Sequence, residues 1–91
     1  MSNPLFDSSL LGSRLKIWPT FLEYKAGLLN PKTTISIKDI ASVEQIFTVV
    51  FFIGLREVRV ETTGGKRINL LLRSKDRDAV VQTILKAKNN L

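Results

Sequence analysis

The stretch that decides the fold is Leu55-Arg-Glu-Val-Arg-Val-Glu-Thr62, then Thr63-Gly64-Gly65, then Lys66-Arg-Ile-Asn-Leu-Leu-Leu-Arg73. Val58 and Val60 alternate with Arg59 and Glu61, so one strand face is apolar. Beyond the glycines, Ile68, Leu70 and Leu72 form the matching set. Opposed residues of an antiparallel pair share a face. A two-residue Gly64-Gly65 loop sets Val60 against Asn69, polar against apolar. A three-residue loop, Thr63-Gly64-Gly65, sets Val60 against Ile68 and Val58 against Leu70. A slip of one residue turns the whole set to solvent, so the spacing predicts the three-residue loop. Such loops end in a left-handed residue, a conformation that Gly65 takes without steric cost.

Downstream, a single amphipathic helix ends the chain. Ser74 or Asp76 can cap it, and Asp76 and Asp78 suit its positive end. Val80, Val81, Ile84 and either Leu85 or Ala87 form the apolar stripe, and Lys86 and Lys88 suit the negative end. Upstream, Arg14 to Trp18 and Phe21 to Ala26 alternate around the turn signal Pro19-Thr20. Pairing Ile17 with Leu22 brings Lys16 opposite Glu23 and Leu15 opposite Tyr24, which is consistent on both faces. Gly27 to Lys32 is a loop with Asn30-Pro31 as its turn. Thr33 to Ile37 is a third strand with Ile35 and Ile37 inward. Lys38-Asp39 forms a corner, and Ile40 to Phe47 a fourth strand. The expected core is Leu15, Ile17, Leu22, Tyr24, Ile35, Ile37, Val58, Val60, Ile68, Leu70, Leu72, Val80, Val81 and Ile84. Residues 1–13, broken by Pro4, Asp7, Ser8, Ser9, Gly12 and Ser13, read as a flexible or loosely docked tail. Residues 14–91 form the domain.

Ile46-Phe-Thr-Val-Val-Phe-Phe-Ile-Gly-Leu55 stands apart, with no polar turn before Gly54. It is far short of the roughly 20 apolar residues that span a bilayer as a helix. Three readings fit it: a strand buried on both faces, a self-association surface, or an apolar loop dipping into a membrane. One inward face needs fewer apolar residues than this stretch holds, because alternate strand residues point outward. Phe47, Val49, Phe51, Phe52 and Ile53 are therefore the candidate residues for self-association or membrane contact.

The chain has 91 residues, enough for one domain with a modest core, and 44% of them are hydrophobic. Fourteen basic residues against eight acidic ones leave a formal charge of +6, which favours anionic partners. Lys16, Lys25, Lys38 and Arg67 are the candidate anion contacts. Met1 to Asp7 carries an acid and no basic start, so a cytoplasmic location is expected, membrane-associated if the apolar loop inserts.

With neither histidine nor cysteine, the chain offers no His or Cys metal site, no Ser-His-Asp triad and no Cys-His pair. Glu57 and Glu61 read as a solvated ladder around Arg59, Asp39 as a turn residue, Asp76 and Asp78 as part of the helix start. No catalytic, cofactor-binding or metal-binding residue is expected, and no enzyme, cofactor or small-molecule substrate. Gly64-Gly65-Lys66 is followed by a strand and not a helix, which rules out a phosphate loop. Trp18, Phe21 and Tyr24 lie near Lys16 and Lys25, the mixture that sheet-type single-strand binders present, but Tyr24 faces inward. Nucleic acid is placed below a protein or homo-oligomer partner and an anionic membrane.

The chain resembles the bacterial pleckstrin-homology-like domains over about residues 14–86. The resemblance is carried by Lys16-Ile-Trp-Pro-Thr-Phe-Leu-Glu-Tyr-Lys25, Thr34-Ile-Ser-Ile-Lys-Asp-Ile-Ala-Ser-Val-Glu44, Val58-Arg-Val-Glu-Thr-Thr-Gly-Gly-Lys-Arg-Ile68 and Ser74 to Ile84. It implies a mainly β fold, a half-open barrel of two antiparallel sheets capped by a C-terminal helix. It also implies a binding module for lipid headgroups or peptides, with self-association in some bacterial relatives. Lipid-binding members carry a long basic loop between strands one and two. Here the first connection is Trp18-Pro19-Thr20, short and uncharged, which favours protein contact or self-association over phosphoinositide.

Overall fold

The structure, a computed structural model, describes residues 3–10, 12–27 and 29–91. Its first sheet holds β1 (Phe6–Leu10), β2 (Ser13–Ile17), β3 (Phe21–Lys25) and β4 (Thr33–Ser36), antiparallel and in sequence order. A 3-10 turn, Ile37–Asp39, leads into a second antiparallel sheet of β5 (Ile40–Val50), β6 (Ile53–Thr62) and β7 (Arg67–Leu70). The chain ends in α1 (Ser74–Asn89). The fold is thus mainly β, two antiparallel sheets with one C-terminal helix.

Both hairpin registers argued from alternation are present. Val58 faces Leu70 and Val60 faces Ile68, and Gly65 sits at φ 88°. Thr62 and Gly65 close the loop, the Gly65 N–H donating to the Thr62 carbonyl at 3.0 Å. In the first sheet Leu15 faces Tyr24, Lys16 faces Glu23 and Ile17 faces Leu22. The expected core is buried except for Ile68 and Val81, which are half-buried against it, and Ile40 and Ala87 join it. Ala87 therefore completes the helix stripe, while Leu85 is exposed. Buried among these side chains, the Tyr24 hydroxyl accepts the Leu71 N–H at 3.1 Å.

Four expectations need correction. The segment expected to be a tail carries β1, which pairs with β2 from Phe6 opposite Ile17 to Leu10 opposite Ser13; residues 1, 2 and 11 lie outside the described ones. Phe6, Ser8 and Leu10 are half-buried while Asp7 and Ser9 are exposed, an alternation hidden because one inward position is a serine. That serine is used: its hydroxyl donates to Asp76 on α1 at 2.9 Å. Gly12, at φ 85°, makes the tight reversal before β2.

The third strand stops at Ser36, and Ile37 opens the 3-10 turn while staying fully buried. The helix is capped by neither Ser74 nor Asp76. Its N-cap is Arg73, without a side-chain cap bond, because Ser74 is already helical and both carboxylates are used elsewhere. Asp76 accepts from Ser8, and Asp78 accepts from Gln45 on β5. At the other end Lys88 donates to the Ile40 carbonyl. Finally, the fourth strand runs past Phe47 to Val50, and Ile46–Leu55 is no single strand: it turns back on itself.

Candidate functional site

β5 and β6 pair from Ile40 opposite Thr62 to Val50 opposite Ile53, with a bulge between Ile40 and Ser42. β7 pairs with β6 only from Val58 to Glu61. Beyond Val58 the two strands run on as a two-stranded ribbon, and β5 is an edge of its sheet. An 11-residue strand is roughly 37 Å long, close to the 41 Å long dimension of the molecule.

The ribbon turns at Phe51 and Phe52, which have φ of 50° and 65°. Positive φ at both central residues is the pattern of a type I′ turn, which Asn-Gly normally supplies. For bulky residues this conformation costs roughly 1–2 kcal/mol each, because Cβ crowds the following carbonyl. Phe51 is 89% exposed and Phe52 fully so. Phe47, Val49 and Ile53 are each more than 60% exposed, and Leu55 is exposed too. The Phe47 ring lies over Gly54, where an added Cβ would come within 2.5 Å of it. Gly54 thus gives the ring its seat. From Gln45 to Leu55 no residue is charged.

All five candidate residues of the apolar stretch lie on this ribbon, Phe47 and Val49 on the Gly54 face, Ile53 on the other, and Phe51 and Phe52 at the turn. The four candidate anion contacts are not. Lys16 and Lys25 share the outer face of the first sheet. Lys38 lies in the 3-10 turn beside a cleft that Phe21 and Ser36 also line. Arg67 is on the second sheet, paired with Glu61 at 3.3 Å.

The outer face of the first sheet holds more than the sequence reading took from it. Arg14 lies directly opposite Lys25, and Lys16 opposite Glu23. Arg14, Lys16, Glu23, Lys25 and Lys32 line one recess. Lys32 pairs with Glu23 at 3.6 Å. Arg14 reaches across to Asp7, donating from Nε at 3.2 Å and from Nη2 at 3.0 Å. These bonds hold the Asp7 carboxyl below the usual aspartate value and raise the Arg14 guanidinium further. At the end of the same face Trp18 and Phe21 stack, centroids 4.7 Å apart and planes 16° apart. The Lys16 ammonium lies 5.9 Å from the Trp18 ring. The signal for this cluster was present in the alternation. If Leu15 and Ile17 point inward, Arg14, Lys16 and Trp18 point outward, and pairing Ile17 with Leu22 seats Trp18 beside Phe21.

The three carboxylates of the second sheet face different partners. Glu44 is opposite Arg59, Glu57 opposite Ile46, and Glu61 is paired with Arg67. A separate cleft between the end of α1 and the Pro19-Thr20 turn is lined by Leu5, Thr83, Lys86 and Ala87 among others, with no acidic side chain among the described residues that line it. Among the described residues no helix is long and apolar enough to cross a membrane. A scan against protein-family models finds no match for this chain, and a search of curated proteins finds none either.

Proposed function

We propose that the protein is a non-enzymatic interaction module that self-associates through the β5–β6 ribbon. The observation that carries this reading is the exposure of Phe47, Phe51 and Phe52 together on a ribbon that β7 does not accompany. A two-stranded hairpin is marginally stable alone in water, and exposed aromatic surface of this extent marks a contact site. The three rings expose roughly 500 Å² between them, a large part of the about 800 Å² that each partner gives to a stable interface.

Charge favours a second copy over an anionic bilayer. A membrane-inserting tip carries cations beside its aromatic residues, so that headgroups and hydrocarbon are engaged together. Here the uncharged run ends in Glu44 on one side and Arg56-Glu57 on the other, which leaves no net positive charge. Two copies of an otherwise basic chain can meet at the ribbon without bringing like charges together. The strand order, four plus three with a closing helix, supports a pleckstrin-homology-like half-open barrel as the scaffold. With β1 counted, the strands number seven, as that family has. The Trp18-Pro19-Thr20 connection then joins strands two and three, and the link between strands one and two is shorter still, which weighs further against a headgroup loop.

Size-exclusion chromatography with light scattering tests the reading. The native protein is expected as a dimer or larger assembly, and the double variant Phe51→Ser, Phe52→Ser as a folded monomer. A native protein that is monomeric at high concentration overturns it. Co-sedimentation of that monomer with anionic liposomes would assign the ribbon to a membrane instead.

A further inference from the structure

We propose that the outer face of the first sheet is a second, independent binding site, one for a short single strand of nucleic acid. Bases would stack at the Trp18–Phe21 pair and phosphates would lie along Lys16, Lys25 and Arg14. The site shares no residue with the ribbon, and its existence does not depend on self-association.

Three observations converge on it. First, Arg14 and Lys25 are directly opposed across β2 and β3. Like charges in that position destabilise a sheet; Asp7 offsets part of the Arg14 charge, and an anion beside Lys25 removes the remaining repulsion. Second, the face is unevenly charged. Arg14, Lys16, Lys25 and Lys32 stand against Asp7 and Glu23, which engage Arg14 and Lys32. Lys16 and Lys25 form no ion pair among the described residues. Third, an aromatic platform adjoins the cations. Trp18 and Phe21 are stacked, half-buried at the strand ends, and Lys16 lies beside the Trp18 ring.

Stacking platforms interleaved with basic residues bind single strands with little sequence preference, because every base has a π-face. From Arg14 to Trp18 the strand covers roughly 13 Å, the reach of two or three nucleotides. A bilayer fits this face less well. The rings lie against each other instead of projecting, so they offer nothing to insert. A duplex fits less well too, since its bases are not free to stack on the pair.

Trp18 is the only tryptophan in the chain, so its fluorescence reports the site directly. The experiment titrates the full chain at low salt with a short oligothymidylate, and in parallel with inorganic polyphosphate and with phosphatidylserine vesicles. The oligonucleotide is expected to quench Trp18. Its affinity should fall with salt on a log–log slope of about −2, as for three phosphates on a single strand. Lys16→Gln and Lys25→Gln, both surface changes, should each lower affinity several-fold and reduce the slope by about 0.7. Phe51→Ser, Phe52→Ser should leave binding unchanged. The proposal is overturned by an unquenched Trp18 at low salt, or by lysine variants that bind like the native chain. Polyphosphate binding as tight as the oligonucleotide would remove the role of the bases. A response confined to the vesicles would reassign the face to lipid.

Discussion

At the scale of single residues, backbone handedness divides the two β-turns of the second sheet. Gly65 occupies the left-handed region where glycine meets no steric cost, and open space surrounds its Cα. Gly64 has an ordinary φ, with only the Thr62 hydroxyl near an added Cβ. Gly65→Ala should therefore destabilise the fold by about 1 kcal/mol, and Gly64→Ala by clearly less. Urea denaturation midpoints of the two variants check the order; equal midpoints would contradict the turn geometry. Phe51 and Phe52 occupy the same region with full side chains, and nothing in their chemistry favours it. Exposed rings held in a costly conformation at a ribbon tip are hard to explain as a device for stabilising the isolated chain. They are readily explained as contacts made with something else.

At the scale of elements, α1 is held by packing and by three tertiary hydrogen bonds, without a side-chain cap. Val80, Ile84 and Ala87 are buried against the sheets, with Ile84 fully enclosed. Ser8, Gln45 and Ile40 receive or supply the polar contacts of Asp76, Asp78 and Lys88. Ile84→Ala removes three buried carbons from a packed site and should cost about 2–5 kcal/mol. A thermal or denaturant melt that matches the native one would show that the helix is not docked in solution. The β5–β6 pair is the opposite case. Its inner half is anchored by β7 and bonded to α1 through Gln45 and Ile40, while β7 does not reach its outer half. The element is thus half scaffold and half exposed surface.

At the scale of the molecule, the N-terminal strand closes the first sheet and ties it to the helix. The Asp7–Arg14 pair bridges β1 and β2 on the surface, and Ser8 links β1 to α1. Arg14 lowers the Asp7 pKa in the folded state, so the pair contributes stability above the ordinary aspartate value of about 4. That contribution is lost as the pH falls through the lower folded value. It is a small one, since exposed pairs are screened by solvent. Asp7→Asn should lower the denaturation midpoint slightly at neutral pH, and the difference from native should shrink as acid protonates the Asp7 carboxylate. A difference that persists unchanged in acid would show that the pair does not act through its charge.

The features legible in the chain are those whose pattern is local. Alternation fixed which faces of β2, β3, β6 and β7 are buried, because a strand's side chains repeat every two residues and a slip would expose the whole set. It fixed both hairpin registers, the handedness at Gly65 and the helix stripe as far as Ile84, while the choice of Ala87 over Leu85 came from packing. Three other features depend on contacts between distant parts of the chain. β1 was not legible because Ser8, an inward residue, looks polar until Asp76 arrives from the far end of the chain to accept its hydroxyl. The cap of α1 was misread for the same reason: Asp76 and Asp78 serve distant partners, which local helix rules do not see. The reversal at Phe51-Phe52 carries no turn chemistry at all. Its one trace in the sequence is length, since an unbroken strand from Ile40 to Thr62 would be far longer than the usual 3–10 residues. The position of the turn follows from β5 pairing with β6. That pairing sets the apolar stretch out on a ribbon, with Phe47, Val49, Phe51, Phe52, Ile53 and Leu55 exposed and not in the core.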